Sequence, residues 1–275
     1  MPELPEVETT LRGLNILIGL KVIKVHVTTK KLRYTIPNTI FKIEKNSKVA
    51  KVERIAKYIL IHFDSGYSIV IHLGMSGRLK IINKSNKTYK HDHFLLKLNK
   101  SKTLVFNDAR KFGFIDVDKS LIIYKRRYIT SLGIDALSLK LNSKYLIKKI
   151  GKSEVPIKQI LLNQKILSGI GNIYASEILF DAKISPFVKG RLLKTKQMNS
   201  LIKSIRKILK KAIKLGGSSI RDYSSSDGTL GNFQSKFFVY NQEGKTISKY
   251  KVKKVVQYGR STYYCPGLQK EQNSN

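Results

Sequence analysis

The sequence runs to 275 residues, long enough for two domains with cores of their own. Its 53 lysines and arginines outweigh 18 acidic residues, and the formal charge of +35 points to a polyanionic partner. No apolar run approaches the roughly 18 residues of a membrane span, and a lone Cys265 excludes an intramolecular disulfide and fits a reducing compartment. The front of the chain lacks the basic-then-apolar order of a signal peptide, so the cytoplasm is the expected location.

Residues 1–18 read as a helix, with Leu4, Val7, Leu11, Leu14 and Ile18 at roughly helical spacing. Its front string is Met1-Pro2-Glu3-Leu4-Pro5-Glu6-Val7-Glu8. Removal of Met1 leaves Pro2 with a secondary amine titrating near about 8. Such an amine is a usable nucleophile at neutral pH and forms Schiff bases with carbon electrophiles. Glu3 adjoins it; the plain alternative is that Glu3, Glu6 and Glu8 form a solvated face.

From Lys21 to about Asp118 short β-branched and aromatic runs recur: 22–27, 48–53, 58–63, 67–73, 79–82, 93–98, 103–106 and 114–117. Turn residues separate them, which predicts a β-sandwich or barrel. Residues 130–141 read as a linker. Helical spacing follows at 143–150, 156–162, 174–180 and 196–215, and a terminal β pattern at 237–240, 251–257 and 262–264. The expected class is α+β: an N-terminal helix plus a two-sheet β-sandwich over 1–130, a helical domain over 131–235, a β-hairpin over 236–270 and a polar tail over 271–275.

Three stretches carry chemistry. Lys57 precedes a strongly apolar strand and on its own reads as a surface lysine. Met75 and Phe112 stand on glycine-bounded turns, in His72-Leu73-Gly74-Met75-Ser76-Gly77 and Asn107-Asp108-Ala109-Arg110-Lys111-Phe112-Gly113. Apolar wedges and an arginine on loops of a basic protein suit insertion into duplex DNA, where they fill the gap behind a flipped nucleotide. In Gly169-Ile170-Gly171-Asn172-Ile173-Tyr174 the asparagine enters a helix, where it either caps the helix or joins the first amides in binding a phosphate. Lys90-His91-Asp92-His93 could suggest a metal, but alternating strand positions face opposite ways and no cysteine lies near.

The front string, the Arg54-Ile55-Ala56-Lys57-Tyr58 segment and the Gly169–Glu177 string together resemble the formamidopyrimidine-DNA glycosylases, bacterial repair enzymes for oxidised purines. The resemblance covers nearly the whole chain. It implies a helix–two-turns–helix domain and a monomer acting on double-stranded DNA that holds oxidised bases or abasic sites. It implies Pro2 as Schiff-base nucleophile, Glu3 as its acid–base partner, Lys57 and Arg260 as phosphate-holding residues active in proton transfer and elimination, and β,δ-elimination as the outcome. It makes His72, His91, Ser153, Lys158 and Asn172 DNA contacts, and Met75, Arg110 and Phe112 the intercalating triad. Lys111 and Ala109 replace the family's usual second arginine and proline, and Ser153 follows a thinner basic run than usual. The stretch from Gly216 to Gly228 corresponds to a loop that closes over the extruded base.

The family normally ends in a four-cysteine zinc finger. Here Ile247, Tyr250, Cys265 and Leu268 stand at the ligand positions, and a structural zinc needs four donors. No cofactor is therefore expected: packing takes over from the metal, as in related zincless members. Three rivals remain: an endonuclease VIII-like enzyme for oxidised pyrimidines and, as non-catalytic nucleic-acid-binding proteins, a damage-binding homologue that has lost catalysis and a structural RNA-binding protein. Leu4 and the Ser218–Asp227 loop argue against the first, the presence of both Pro2 and Glu3 against the second, and the wedges and the front string against the third.

Overall fold

A computed structural model of the chain describes residues 2–29, 31–43, 45–83, 88–218 and 231–270. Its contacts divide into two units, Met1–Thr130 with Leu215–Gln234, and Ser131–Lys214 with Ser235–Asn275. The described residues 215–218 and 231–234 cluster by contacts with the β unit, whereas the sequence reading set them in the helical domain. The hairpin likewise clusters with the helices and is no separate domain.

In the first unit helix α1 spans Leu4–Leu14 and runs into a 3₁₀ turn at Asn15–Leu17. It begins at Leu4 rather than at Pro2, because Glu3 takes the extended N-cap conformation (φ −106°, ψ −173°) and forms a capping box with Glu6. The first-turn proline is consequently Pro5, where a missing N–H costs nothing.

Strands β1 (Val22–Val27), β2 (Val49–Ile55), β3 (Tyr58–Phe63), β4 (Tyr67–His72), β5 (Arg78–Asn83), β6 (Asp92–Leu98), β7 (Lys102–Asn107) and β8 (Phe114–Lys119) make two antiparallel four-stranded sheets. Their orders are β1-β6-β7-β5 and β2-β3-β4-β8. Ile59, Ile61, Ile69 and Ile71 of one sheet share a core with Phe94, Leu96, Leu104 and Phe106 of the other, and Val7 and Leu14 of α1 close it. The alternate residues Leu60 and Val70 pack on Ile123 from α2 (Ser120–Ile123), with Tyr128 of α3 (Arg127–Thr130) beside them. Both faces of this sheet are covered, which is why β3 and β4 read as unbroken apolar runs.

The second unit opens with β9 (Ile134–Asp135), α4 (Ser143–Ile150), α5 (Ile157–Leu162) and β10 (Leu167–Ser168), which pairs with β9 in parallel. Then come α6 (Asn172–Asp181) and α7 (Thr195–Lys214). Helix α7 is strongly amphipathic: Met198, Leu201, Ile202, Ile205, Ile208 and Leu209 are buried, and lysines line the other side. The chain ends in β11 (Thr246–Ile247), β12 (Tyr250–Lys251), β13 (Lys253–Gln257) and β14 (Arg260–Tyr264), the last two forming an antiparallel hairpin. Among the described residues no helix is long and apolar enough to cross a membrane.

The stretch 237–240 is not the strand its composition predicts. The amides of Phe238, Val239 and Tyr240 donate instead to the carboxylate of Glu177 on α6, at 2.9, 2.9 and 2.8 Å. One buried side chain replaces a β ladder as their partner.

Candidate active site

Pro2 is buried at the head of α1, and so are the two carboxylates next to it, Glu3 at 2% exposure and Glu6 at 1%. A solvated acidic face is thereby ruled out for both. The two oxygens of Glu6 do different things. Oε2 accepts the Glu3 amide at 2.9 Å, while Oε1 accepts the Ser218 amide at 2.7 Å and the Ser218 hydroxyl at 3.0 Å. The residue after the proposed nucleophile is thus linked by a single side chain to the root of the 216–228 loop. The far root closes by Phe233 N–H donating to the Gly217 carbonyl at 3.0 Å. Residues 219–230 of that loop lie outside the described residues, as does Met1.

Lys57 sits at the tip of the β2–β3 turn yet is only 6% exposed. Arg54 explains how this turn is held to α1. Its Nε donates to Glu8 Oε2 at 2.8 Å and its Nη1 to the Ala56 carbonyl at 3.0 Å. Glu8 is therefore a tether between the helix and the turn that carries Lys57.

One strand over, His72 pairs with Tyr58 and stacks on Phe114 at 5.7 Å, 11° from parallel. Its Nδ1 accepts the Gly74 amide at 3.1 Å, which leaves Nε2 to carry the proton of the neutral ring. Burial, seconded by the Lys57 and Arg33 charges, pushes its pKa from 6.5 down to about 4. A depressed pKa means stability that is full above 6.5 and lost as pH falls toward 4. The His72 ring resonance should accordingly titrate near pH 4 by NMR; a midpoint at 6 or higher would contradict this environment.

The wedge turns are a single construction. Gly74 lies at φ +65°, and a Cβ there would come within 2.4 Å of Gly113 N and Phe112 C, so only glycine lets the two turns touch. Asp108, fully buried, wires them together: it accepts the Ser76 hydroxyl at 2.5 Å, the Gly113 amide at 2.8 Å and the Arg110 amide at 3.3 Å. Met75 and Phe112 are held out at 39% and 44% exposure, with the Arg110 guanidinium 4.7 Å from the Phe112 ring centroid. His91 precedes β6 in a left-handed turn (φ +73°) and its carbonyl accepts the Asp108 amide, while His93 Nε2 bonds the Asp108 carbonyl at 2.8 Å. Sequence reasoning missed two residues here. Asp108 gave no signal beyond its place between wedge and strand. Arg33, whose amide donates to the Gly113 carbonyl at 3.1 Å, adds a cation beside His72 and Tyr58.

In the second unit Asn172 is the first residue of α6, and its Nδ2 donates to the Ser261 carbonyl at 3.0 Å. The same carbonyl accepts Lys158 Nζ at 2.9 Å, and Thr262 Oγ1 lies 2.6 Å from that ammonium. Lys158, expected as a DNA contact, is fully buried here, with its ammonium on the hairpin. The clamp falls on the residue after Arg260, which stands exposed on β14 across from Gln257. Ser153 is half-buried and its hydroxyl accepts the Val155 amide at 3.2 Å, so it shapes its own turn.

The four positions of the family's zinc ligands lie in one apolar cluster. Ile247, Tyr250 and Leu268 pack against Val239, Val252, Tyr263 and the buried Cys265. Gly267 lies flat on the Tyr250 ring, where a Cβ would fall 2.0 Å from Cδ1. Three of these four side chains have no sulfur, imidazole or carboxylate to offer a tetrahedral zinc, so the residues present do not fit the metal.

The β unit carries a buried carboxylate pair behind Pro2 and two apolar-tipped turns, the helical unit a glycine-flanked asparagine helix clamped to an arginine hairpin, and the comparisons give the class: a DNA-repair glycosylase. The N-terminal domain of formamidopyrimidine-DNA glycosylase matches residues 1–115, and the helix–two-turns–helix domain of the same enzyme matches residues 132–224. The formamidopyrimidine-DNA glycosylase of Zymomonas mobilis is 43% identical over 272 residues, covering 98% of this chain and 100% of that protein. That of Rickettsia conorii is 38% identical, covering 98% and 99%. A Lactococcus lactis Fpg mutant in complex with Fapy-dG containing DNA superposes with a TM-score of 0.90 at 31% identity, covering 98% of this chain and all of that one. The Lactococcus lactis enzyme with abasic-site DNA gives 0.89 at 32%, with the same coverage. The chain belongs to the formamidopyrimidine-DNA glycosylase family.

Proposed function

We infer that this chain is a base-excision-repair DNA glycosylase and AP lyase that removes oxidised purines from double-stranded DNA. The observation that carries the reading is the front end, where a buried capping box holds Pro2 and Glu3 and ties them to the root of the loop. With Met1 cleaved, the Pro2 nitrogen attacks C1′ of the damaged nucleotide, and the C1′–N bond breaks as the base leaves with a proton. Glu3 protonates O4′ so that the sugar opens to an iminium. That cation acidifies C2′–H; loss of the proton expels the 3′ phosphate, and a second loss at C4′ expels the 5′ phosphate. The amine is the electron sink, so no step calls for a cofactor.

The placements support the remaining roles. Lys57, neutral His72 as an N–H donor, Asn172 and Arg260 hold phosphates, and Arg33 joins them. Met75 and Phe112 fill the vacated stack while Arg110 addresses the orphaned base. His91 and Ser153 act through their turns. The hairpin folds by packing without zinc, and the enzyme works in the cytoplasm, where the DNA is.

The test is cleavage of a duplex carrying 8-oxoguanine opposite cytosine, run with and without a strong chelator. A one-nucleotide gap bearing phosphates at both ends is expected, with equal rates in the two arms. Preferential cleavage of oxidised pyrimidines would favour the endonuclease VIII-like alternative, and chelator sensitivity would overturn the metal-free hairpin.

A further inference from the structure

Tyr258 and Gly259 form the two-residue turn between β13 and β14, since Gln257 pairs directly with Arg260. Both turn residues have positive φ, +49° and +70°, the mark of a type I′ hairpin. The first position suits asparagine, aspartate or glycine, which tolerate the left-handed conformation. A tyrosine there is strained, because its Cβ crowds the carbonyl oxygen that follows. The residue is also 70% exposed. Among the described residues its ring has no aromatic neighbour and its hydroxyl no hydrogen-bond partner, so no contact offsets the strain.

The frame beneath this tip is stiff. Gln257, only 7% exposed, donates Nε2 to the Pro186 carbonyl at 3.3 Å and accepts the Thr262 hydroxyl at 3.2 Å. On the other strand the Ser261 carbonyl takes both Asn172 and Lys158. Beyond the tip the space is open: a Cβ on Gly259 would meet nothing within 4 Å. A strained, exposed aromatic on a rigid base is pre-organised to meet a partner, and strain of this kind collects where a ligand is clamped.

We propose that Tyr258 is a DNA-contacting residue, its ring lying on a deoxyribose and its hydroxyl donating to the phosphate next to the one held by Arg260. The proposal rests on the reading of Arg260 and Asn172 as phosphate ligands, and those two residues name the occupant. Arg260 stands exposed two positions on, and Asn172 is bonded to the residue after it, so both ligands converge on this hairpin. A phenol suits the role, with an O–H for a phosphate oxygen and an apolar ring to cover the sugar. The contact neutralises no charge, so it adds affinity without adding salt dependence.

The experiment uses the full chain, a fluorescein-labelled duplex carrying an uncleavable abasic-site analogue, and the same duplex undamaged, read by anisotropy over a range of salt. Tyr258→Asn should bind both duplexes about tenfold more weakly, and Tyr258→Phe, which keeps the ring, roughly threefold. Both duplexes should suffer alike, because a backbone contact carries no information about the base. The slope of log K against log salt should stay that of the parent, whereas losing a phosphate contact made by Arg260 would flatten it by about 0.9. Tyr258→Asn should also melt no lower than the parent, since asparagine relieves the turn. Undiminished affinity in Tyr258→Asn, a flatter slope, a lower melting temperature or a loss confined to the lesion duplex would each overturn the assignment. A parent protein that bound neither duplex would instead defeat the enzymatic reading, and this inference with it.

Discussion

Pro2→Gly is expected to cost on the order of 10²-fold or more in borohydride trapping of the covalent complex with 8-oxoguanine DNA, while duplex affinity stays near that of the unmodified protein. Glycine at the terminus still offers an amine, so the loss measures orientation and amine type. The pyrrolidine ring holds the terminal nitrogen in a fixed position relative to Cα, and its secondary amine yields a permanently cationic iminium. Pro2 is also buried against a cap whose members are 1–2% exposed, so its freedom is already removed before substrate arrives. Intact mass of the purified protein must show the loss of Met1 for the scheme to hold. Trapping that survives Pro2→Gly undiminished would show that neither the ring nor the secondary amine matters.

The second large effect is on stability. Glu177 is fully buried on α6 and its carboxylate is the acceptor for three consecutive amides leading into the hairpin. Burial pushes its pKa above the ordinary carboxylate range, and the amides of Tyr240, Phe238 and Val239 pull it back. Glu177→Ala leaves those amides without their acceptor, a loss of about 3–5 kcal/mol by urea unfolding. Glu177→Gln should cost less, because one oxygen survives to receive Val239 and Tyr240 while an NH2 meets Phe238. Affinity for lesion duplex should fall in the same order, since the hairpin beyond this anchor carries Arg260. An alanine variant as stable as the parent would show that the apolar cluster holds the hairpin alone.

That anchor bears on a hairpin whose side chains do not fit a zinc. Ile247, Tyr250 and Leu268 were legible in the sequence as non-ligands, and the structure gathers them around Cys265. What the sequence could not reveal is that a carboxylate on another helix, some sixty residues upstream, secures the entry to the hairpin. The string Tyr174-Ala175-Ser176-Glu177 read as ordinary helix. Lys158 is a related case: the family resemblance marks it as a DNA contact, and only the fold shows its ammonium on Ser261 and Thr262, more than a hundred positions away.

The β unit was the most readable part. Six of its eight strands begin and end within a residue of the runs of β-branched and aromatic side chains, because alternation and burial on a sheet are local demands; the eighth runs two residues past its run, to Lys119. The second strand reaches two residues further, to Ile55, where the turn before Lys57 takes over. Wedges too were visible, since a bulky apolar residue between turn-forming glycines has few other uses. The strand expected at 237–240 failed because composition reports β preference but not whether a ladder partner exists.

By itself the sequence determined most of the order of elements and the exposed apolar residues on their turns, and it put a proline and a carboxylate side by side at the front; each depends on neighbours a few residues apart. Tertiary structure alone decided what those groups are held by. Glu6 meets Ser218 across 212 positions, Glu8 meets Arg54 across 46, and Asp108 meets Ser76 across 32. Such bonds form only after chain closure has brought distant segments together, and a buried acceptor takes whichever donor the packing presents, a choice that no local pattern encodes.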